Sequence, residues 1–368
     1  MGTGAHGAGS GSQAPSERGP VARTATTDSD RAARPRIVVI GSLNADVGVT
    51  VPEFPAPGAT VLGGDLAVSP GGKGANQAVA AAVTGAHVAM VGAVGADPFA
   101  EIAVTGLREA GVDLDRVRTV DGATGTAIIT VDARGENTIV VSAGANAAVG
   151  RDDVDAAEPL LEEADVLLMQ GEIAPEVVDH AARVWSRAES RAGDGRERRM
   201  ILNAAPVTAV AEQTLLSADP LVMNETEARN VAAMLGSVGV AAENAAAQEP
   251  AVDSTEALHE EMDEVCYALC EEGAGSVVVT LGAAGFVVAD GSCDAPVHVE
   301  PTPVTAIDST GAGDMFVGAL AAHLASGSTL LDAAERAGEA AASTVRLRGA
   351  QSSYFASVTT ATPPSLPH

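Results

Sequence analysis

The sequence predicts an α/β chain: a doubly wound, mostly parallel sheet with a small separate β-sheet at one edge. Two observations predict the large sheet. Short apolar runs, several rich in β-branched residues, recur at 36–41, 88–94, 166–169, 200–202, 221–223 and 277–281. That is the pattern of strands buried on both faces. Between most of them lie alanine-rich segments of helical length, at 75–84, 98–110, 175–187, 225–235 and 255–272. Strand–helix alternation of this kind builds a parallel sheet covered by helices. A third observation predicts the small sheet. Strand-like pieces at 47–51 and 66–68 surround proline-rich turns within 45–69, and 125–141 reads as a hairpin of 126–131 with 138–141. A flap of this sort is a natural lid that excludes water from a reaction.

Flanking segments are of a different character. Residues 1–35 are rich in Gly, Ser, Ala, Thr and Arg and read as a disordered N-terminal tail. The folded domain is expected over 36–355, with 356–368 as a C-terminal tail. The stretch 236–254 has little periodicity and reads as a surface insertion.

Composition excludes several functions. Lys and Arg number 21 against 49 Asp and Glu, a net charge of −28, so phosphate backbones and anionic membranes would be repelled. The few aromatics (five Phe, two Tyr, one Trp) offer no base-stacking platform. Lys73 is the only lysine in the chain, and it is followed by Gly74 rather than Ser or Thr, which excludes a Walker A loop. The HRD and DFG segments of protein kinases and the GxSxG elbow of hydrolases do not occur. Three cysteines cannot make a disulfide framework, and Cys266 and Cys270, at helical spacing, read as core thiols. With no apolar leader and no apolar run long enough to span a bilayer, a cytoplasmic location is expected.

Four segments carry chemistry. In Asp308-Ser-Thr-Gly-Ala-Gly-Asp314 a turn of small residues runs into an apolar helix. Helix N-termini expose unpaired N–H groups and partial positive charge, and glycine admits a phosphate close to the backbone. Asp314 reads either as the helix N-cap or as a base beside a transferring phosphate, and Asp308 on the same turn tilts the reading toward the base. Gly71, Gly72 and Gly74 bracket Lys73, with Asn76 opening the next helix. This is either a polyol-binding loop or a plain glycine turn. Asn44-Ala-Asp46 follows the first strand, at the edge where open α/β sheets bind ligands. Asn224 and Glu227 fit a capping box, or alternatively a site ordering Mg²⁺ water.

Together, Gly41-Ser-Leu-Asn-Ala-Asp46, Gly71-Gly-Lys-Gly-Ala-Asn-Gln-Ala78, Asn224-Glu-Thr-Glu227, Thr280-Leu-Gly282 and Asp308-Ser-Thr-Gly-Ala-Gly-Asp314 resemble the PfkB carbohydrate kinases, from about Arg36 to Tyr354. The resemblance implies a Rossmann-like domain with a β-sheet lid through which two copies pair. It implies ATP-dependent transfer to a sugar's primary hydroxyl, D-ribose giving ribose 5-phosphate, the alternatives being a kinase of the same family acting on deoxyribose, a ketohexose or a nucleoside, or a non-catalytic sugar-binding regulator. By this likeness Asp314 would be the general base, and the N–H groups of Gly311, Ala312 and Gly313 the anion hole. Asn44, Asp46, Gly72, Lys73, Gly74, Asn76 and Glu172 would hold the sugar. Asn224, Thr280, Gly282, Gly285 and Gly313 would line the ATP site, with Glu227 placing Mg²⁺ through water. Asp308, Thr310, Thr344, Leu347, Gly349 and Ser353 would hold K⁺. The chain departs from the family pattern at Ser309, Gly338 and Ser352.

Overall fold

The computed structural model describes residues 34–192, 197–236, 255–291 and 295–360. The tail up to residue 33 and nearly all of the 236–254 insertion lie outside the described residues.

Nine strands form the main sheet: β1 (Arg36–Ile40), β4 (His87–Gly95), β5 (Asp113–Val120), β8 (Val166–Gln170), β9 (Arg199–Asn203), β10 (Leu221–Asn224), β11 (Val277–Thr280), β12 (Phe286–Ala289) and β13 (Val297–Val299). Their spatial order is β13-β12-β11-β10-β9-β8-β1-β4-β5. Seven are parallel; β12 and β13 add antiparallel at one edge. The unbroken apolar run of β1 follows from its place. Val38 and Ile40 enter a core under the helices Pro175–Ala192, Glu225–Leu235 and Thr255–Glu271. Ile37 and Val39 enter another under Lys73–Val83, Pro98–Glu109, Ala312–Ala325 and Leu330–Thr344. Strand order reverses at β1, between β4 and β8, and a crevice at such a switch point is the usual ligand site of open sheets.

The small sheet has four strands, β2 (Asn44–Thr50), β3 (Ala67–Gly71), β6 (Gly125–Val131) and β7 (Asn137–Ser142), in the order β3-β2-β6-β7. It leaves the main sheet directly after β1, so β2 starts at the carboxyl edge of the parallel strands.

Some boundaries differ from the sequence expectation. The helix after Gly72 begins at Lys73, so Asn76 lies one turn inside it. The helix after the glycine turn begins at Ala312 with Gly311 as N-cap, so Asp314 is not the cap. The last helix, Gln351–Thr360, continues past the expected domain end at 355. Nothing in 351–360 breaks a helix, and the first proline beyond it is Pro363. β5, β12, β13 and the helices Arg151–Ala156, Glu158–Glu163 and Leu330–Thr344 were not expected from apolar runs. β5 is an edge strand with four charged residues, and β12 and β13 are only four and three residues long.

Candidate active site

The parallel strands end in polar residues aimed at one place. Asp314, in the first turn of Ala312–Ala325, is 7% exposed, and both its oxygens are engaged. Oδ2 accepts from Asn76 Nδ2 and Oδ1 from Gln77 Nε2, each at 2.9 Å. Both donors stand on the Lys73–Val83 helix. Gln77 Nε2 also reaches Asn203 Oδ1 (2.9 Å), at the end of β9, while its oxygen accepts from Gln170 Nε2 (2.7 Å), at the end of β8. Gln351 Nε2 donates to Asn76 Oδ1 (2.9 Å). Thus Asp314 is ringed by amides, and its carboxylate serves no cap of its own helix.

The turn before it separates two kinds of glycine. Gly311 has φ 77°, in the left-handed region, and a Cβ there would overlap the Tyr354 hydroxyl and Ala350. The fold itself therefore requires glycine at 311. Gly313 has no such constraint: its φ is ordinary, and a Cβ would meet nothing within 4 Å. The space where a side chain would stand at 313 is therefore empty. Of the predicted trio of donors, Ala312 N–H is already directed to the Ser309 carbonyl at 3.1 Å. This i−3 bond closes the turn.

The expected sugar residues converge from the small sheet and the Lys73 loop. Asn44 and Asp46 share a face of β2, opposite Gly71 and Ser69 of β3. Asn44 Oδ1 accepts from Asn146 Nδ2 (2.7 Å). A Cβ at Gly71 would strike the Asp46 carboxylate. Asp46 Oδ1 is buried without a partner. Burial, with the charges of Glu172 and Asp314, pushes the Asp46 carboxyl up to about 6. Glu172 accepts from the Ser42 hydroxyl (2.5 Å) and the Lys73 backbone N–H (2.9 Å), filling the cap that Gly72 cannot supply. Gly74 N–H donates to Ser42 Oγ (3.2 Å). The Lys73 ammonium is held protonated above its ordinary range by Asp314 first, against the opposing effect of burial, with help from Glu172 and Glu227. That one lysine thus feels acids from both the expected sugar set and the expected nucleotide set.

On the nucleotide side, Asn224 and Glu227 make the full capping box, with bonds of 2.8 and 2.9 Å. Glu227 is nonetheless raised by burial, offset by the Asn224 N–H and by the charge of Lys73. An acid there suits a hydrated divalent cation. Thr280 ends β11 beside Asn224, and Gly282 and Gly285 frame the next turn, closed by Leu281 N–H to the Gly285 carbonyl (2.8 Å). Gly338 packs on the Phe286 ring edge, where a Cβ would come within 2.7 Å.

The residues expected around K⁺ form one neighbourhood. Asp308 accepts from Gly349 N–H and Thr310 N–H, each at 2.9 Å, and its own N–H reaches the Val345 carbonyl. Leu347 N–H bonds the Thr344 carbonyl (2.9 Å), and Ser353 is buried. Burial opposes ionisation of Asp308, but Gly349, Thr310 and nearby Arg348 outweigh it and lower the carboxyl. An ionised carboxylate among carbonyl and hydroxyl oxygens is a donor set that suits an alkali cation.

Sequence reasoning missed Gln77, Gln170, Asn203, Gln351, Asn146, Ser42 and Tyr354. Gln77 and Ser42 stand inside the quoted motifs but with no role assigned, and the others showed only as polar residues that nothing in the sequence joins to Asp314. Cys266 and Cys270 are core residues, and burial pushes the Cys266 thiol up to about 12. Among the described residues no cluster of three or more His, Cys, Asp or Glu is arranged to hold a metal ion, and no helix is long and apolar enough to cross a membrane.

A parallel sheet with a side sheet, and a buried acid at a glycine-rich helix start, are the features that the sequence resemblance implies for a carbohydrate kinase. The chain belongs to the pfkB family of carbohydrate kinases, matching it over residues 34–356. It is 35% identical to the ribokinase of Haemophilus influenzae over 323 residues, 87% of this chain and 95% of that one. Among solved structures it is similar to the ribokinase of Thermotoga maritima, with TM-score 0.73 and 28% identity, covering 89% of this chain and 98% of the other. The Arabidopsis thaliana ribokinase complexed with ribose and ATP gives TM-score 0.72 and 27% identity, with the same coverage.

Proposed function

We propose that this chain phosphorylates D-ribose at its 5-hydroxyl with ATP. The observation that carries the reading is Asp314: a buried carboxylate with both oxygens fixed by amides, beside a glycine whose side-chain space is empty and within the field of a lone lysine. Asn44, Asp46, Lys73, Asn76 and Glu172, with the Gly72 and Gly74 backbone, hold the sugar hydroxyls. Asp314 takes the proton of the 5-hydroxyl as its oxygen attacks the γ-phosphorus in line, and ADP leaves. The N–H groups of Gly311 and Gly313 receive the charge of the transferring phosphoryl. Asn224, Thr280, Gly282 and Gly285 line the nucleotide. Glu227 would order the water of Mg²⁺, which would neutralise phosphate charge when bound. Asp308, Thr310, Thr344, Leu347, Gly349 and Ser353 would hold K⁺, whose charge would help orient the dipoles of the turn. The enzyme works in the cytoplasm as a homodimer.

Pairing through the small sheet is supported by a row of side chains across it. Val68, Val47, Ile128 and Val140 stand opposite one another on one face, and three of them are 39–65% exposed. A row of that kind is a candidate contact surface.

The test is coupled ADP release with ribose, deoxyribose, fructose and adenosine, each with and without K⁺. Ribose turnover well above the rest, raised by K⁺, is expected. Preference for another sugar would overturn the substrate assignment, and no turnover with any would overturn the kinase reading.

A further inference from the structure

The first turn of the last helix touches both halves of the catalytic apparatus. Gln351 and Tyr354 are three residues apart on Gln351–Thr360 and so share a face. They are 2% and 0% exposed. Gln351 Nε2 donates to Asn76 Oδ1, whose amide nitrogen donates to Asp314. The Tyr354 hydroxyl donates to the Gly311 carbonyl at 2.6 Å, on the residue that starts the glycine turn.

The direction of the first relay is forced. A carboxylate only accepts, so Asn76 must present its nitrogen to Asp314 and its oxygen to Gln351. Gln351 must then present its own nitrogen, and its Oε1 is left buried without a partner, wedged where Gly106 has no Cβ. Simple packing gives no reason to bear an unpaired oxygen there, since a methionine would fill the same space without one. Orienting Asn76 does. Tyr354 carries a similar mark: its hydroxyl is buried, and glycine at 311 is what makes room for it.

We infer that Gln351 and Tyr354 are positioning residues, Gln351 aiming the base through Asn76 and Tyr354 fixing the glycine turn that receives the phosphoryl. The inference rests on the kinase reading above. It places control of the base and of the anion hole on one helical turn, directly after the loop that carries Gly349.

The test uses Tyr354→Phe and Gln351→Met, which keep the volume and remove the donor. For each, kcat and ribose KM are measured below the melting temperature. Calorimetric Kd values are taken for Mg·ADP alone and with aluminium fluoride, a planar mimic of the transferring phosphoryl. Misplacing reacting groups costs rate rather than affinity. Tyr354→Phe is expected to lower kcat at least tenfold with ribose KM within threefold. Its affinity for Mg·ADP with aluminium fluoride should fall about tenfold, with that for Mg·ADP unchanged. Gln351→Met is expected to lower kcat about tenfold, with Gln351→Glu failing to restore it, because an acid cannot donate to Asn76 once ionised. A lower melting temperature with kcat and fluoride affinity within twofold of the parent would overturn the inference and leave both residues a packing role. If Tyr354→Phe does not fold, Gln351→Met decides. A parent inactive on ribose would count against the substrate reading alone, because the aluminium fluoride measurement needs no sugar and judges the turn by itself.

Discussion

Asp314 and Asp46 lie in one electrostatic field, yet they stand on different platforms. Asp314 belongs to the rim of the nine-stranded sheet, where amides of the Lys73–Val83 helix engage both its oxygens and are themselves held by amides from the ends of β8 and β9. Asp46 belongs to the four-stranded sheet, where one oxygen is buried unpartnered and the carboxyl is raised to about 6. The first is finished by the protein. The second keeps an unengaged oxygen, which in the proposed function accepts from a hydroxyl of the bound sugar. A base must be in place before the substrate arrives, whereas a recognition group gains specificity by being satisfied only when the right hydroxyl arrives.

The sharpest way to break that contrast is Asp314→Asn. Loss of a general base lowers rate by about 10²–10⁴-fold, so kcat is expected to fall about a thousandfold while ribose Kd, measured by calorimetry, stays within a few-fold. A variant with unchanged turnover would sink the assignment of Asp314 as base. Next in size is the pair of glycines ahead of it. Gly313→Ala is expected to fold normally, because its Cβ meets nothing, yet to lose about a hundredfold in kcat by blocking the anion's approach. Gly311→Ala should instead lower the melting temperature, since left-handed strain of about 1 kcal/mol or more is added to a clash with Tyr354. Equal effects of the two substitutions on melting temperature would refute the division between them.

The large sheet was legible because strands such as Val166–Gln170 are buried on both faces and leave an unbroken apolar run. The glycine turn was legible because small residues cluster only where backbone must come close to something. What was hidden is the network that makes the site work. Asn76 and Asp314 are 238 residues apart, and Gln351 and Asn76 are 275 apart. A glutamine in sequence looks the same whether it faces water or a buried carboxylate. The N-cap alternative for Asp314 failed for a local reason. Glycine at 311 can take the left-handed conformation and starts the helix three residues early, which frees the Asp314 side chain to point away from its own backbone. The Asn224–Glu227 box, by contrast, was fully readable, since both its partners lie within one turn.

Asp46→Asn tests the unfinished platform. Ribose affinity is expected to drop about tenfold to a hundredfold at pH 7.5, as an ionised acceptor is replaced by a weaker neutral one. In the parent, ribose Kd should rise as pH falls through about 6, where Asp46 takes up its proton, and this dependence should vanish in the variant. Stability should move the other way. A carboxyl raised on folding binds its proton more tightly in the native state, so stability is lost as pH rises from about 4 through about 6. Asp46→Asn should therefore raise the melting temperature at pH 7.5, with the gain disappearing below about pH 4. A variant that is less stable at pH 7.5 would show that the Asp46 charge is already compensated within the fold, and the contrast with Asp314 would collapse.

The smallest expected effect on catalysis concerns the outer face of the same sheet. Val68, Val47, Ile128 and Val140 form a single apolar row, and in an isolated chain three of them remain open to water. Asp46 and Asn44 point from the opposite face of β2, because side chains alternate along a strand. In the proposed function the sheet thus carries sugar recognition on one side and a partner copy on the other. Ile128→Glu puts a charge in the middle of that row, and a buried unpaired charge is costly enough to separate two copies. Sedimentation velocity should show a dimer for the parent and a monomer for the variant. Because Asp314 and its amides sit on the other platform, kcat should change less than threefold. Ribose KM should rise by a larger factor, since the strand that holds Asp46 loses its backing. If kcat falls as steeply as affinity, the two platforms are mechanically one, and the base depends on pairing as much as the sugar does.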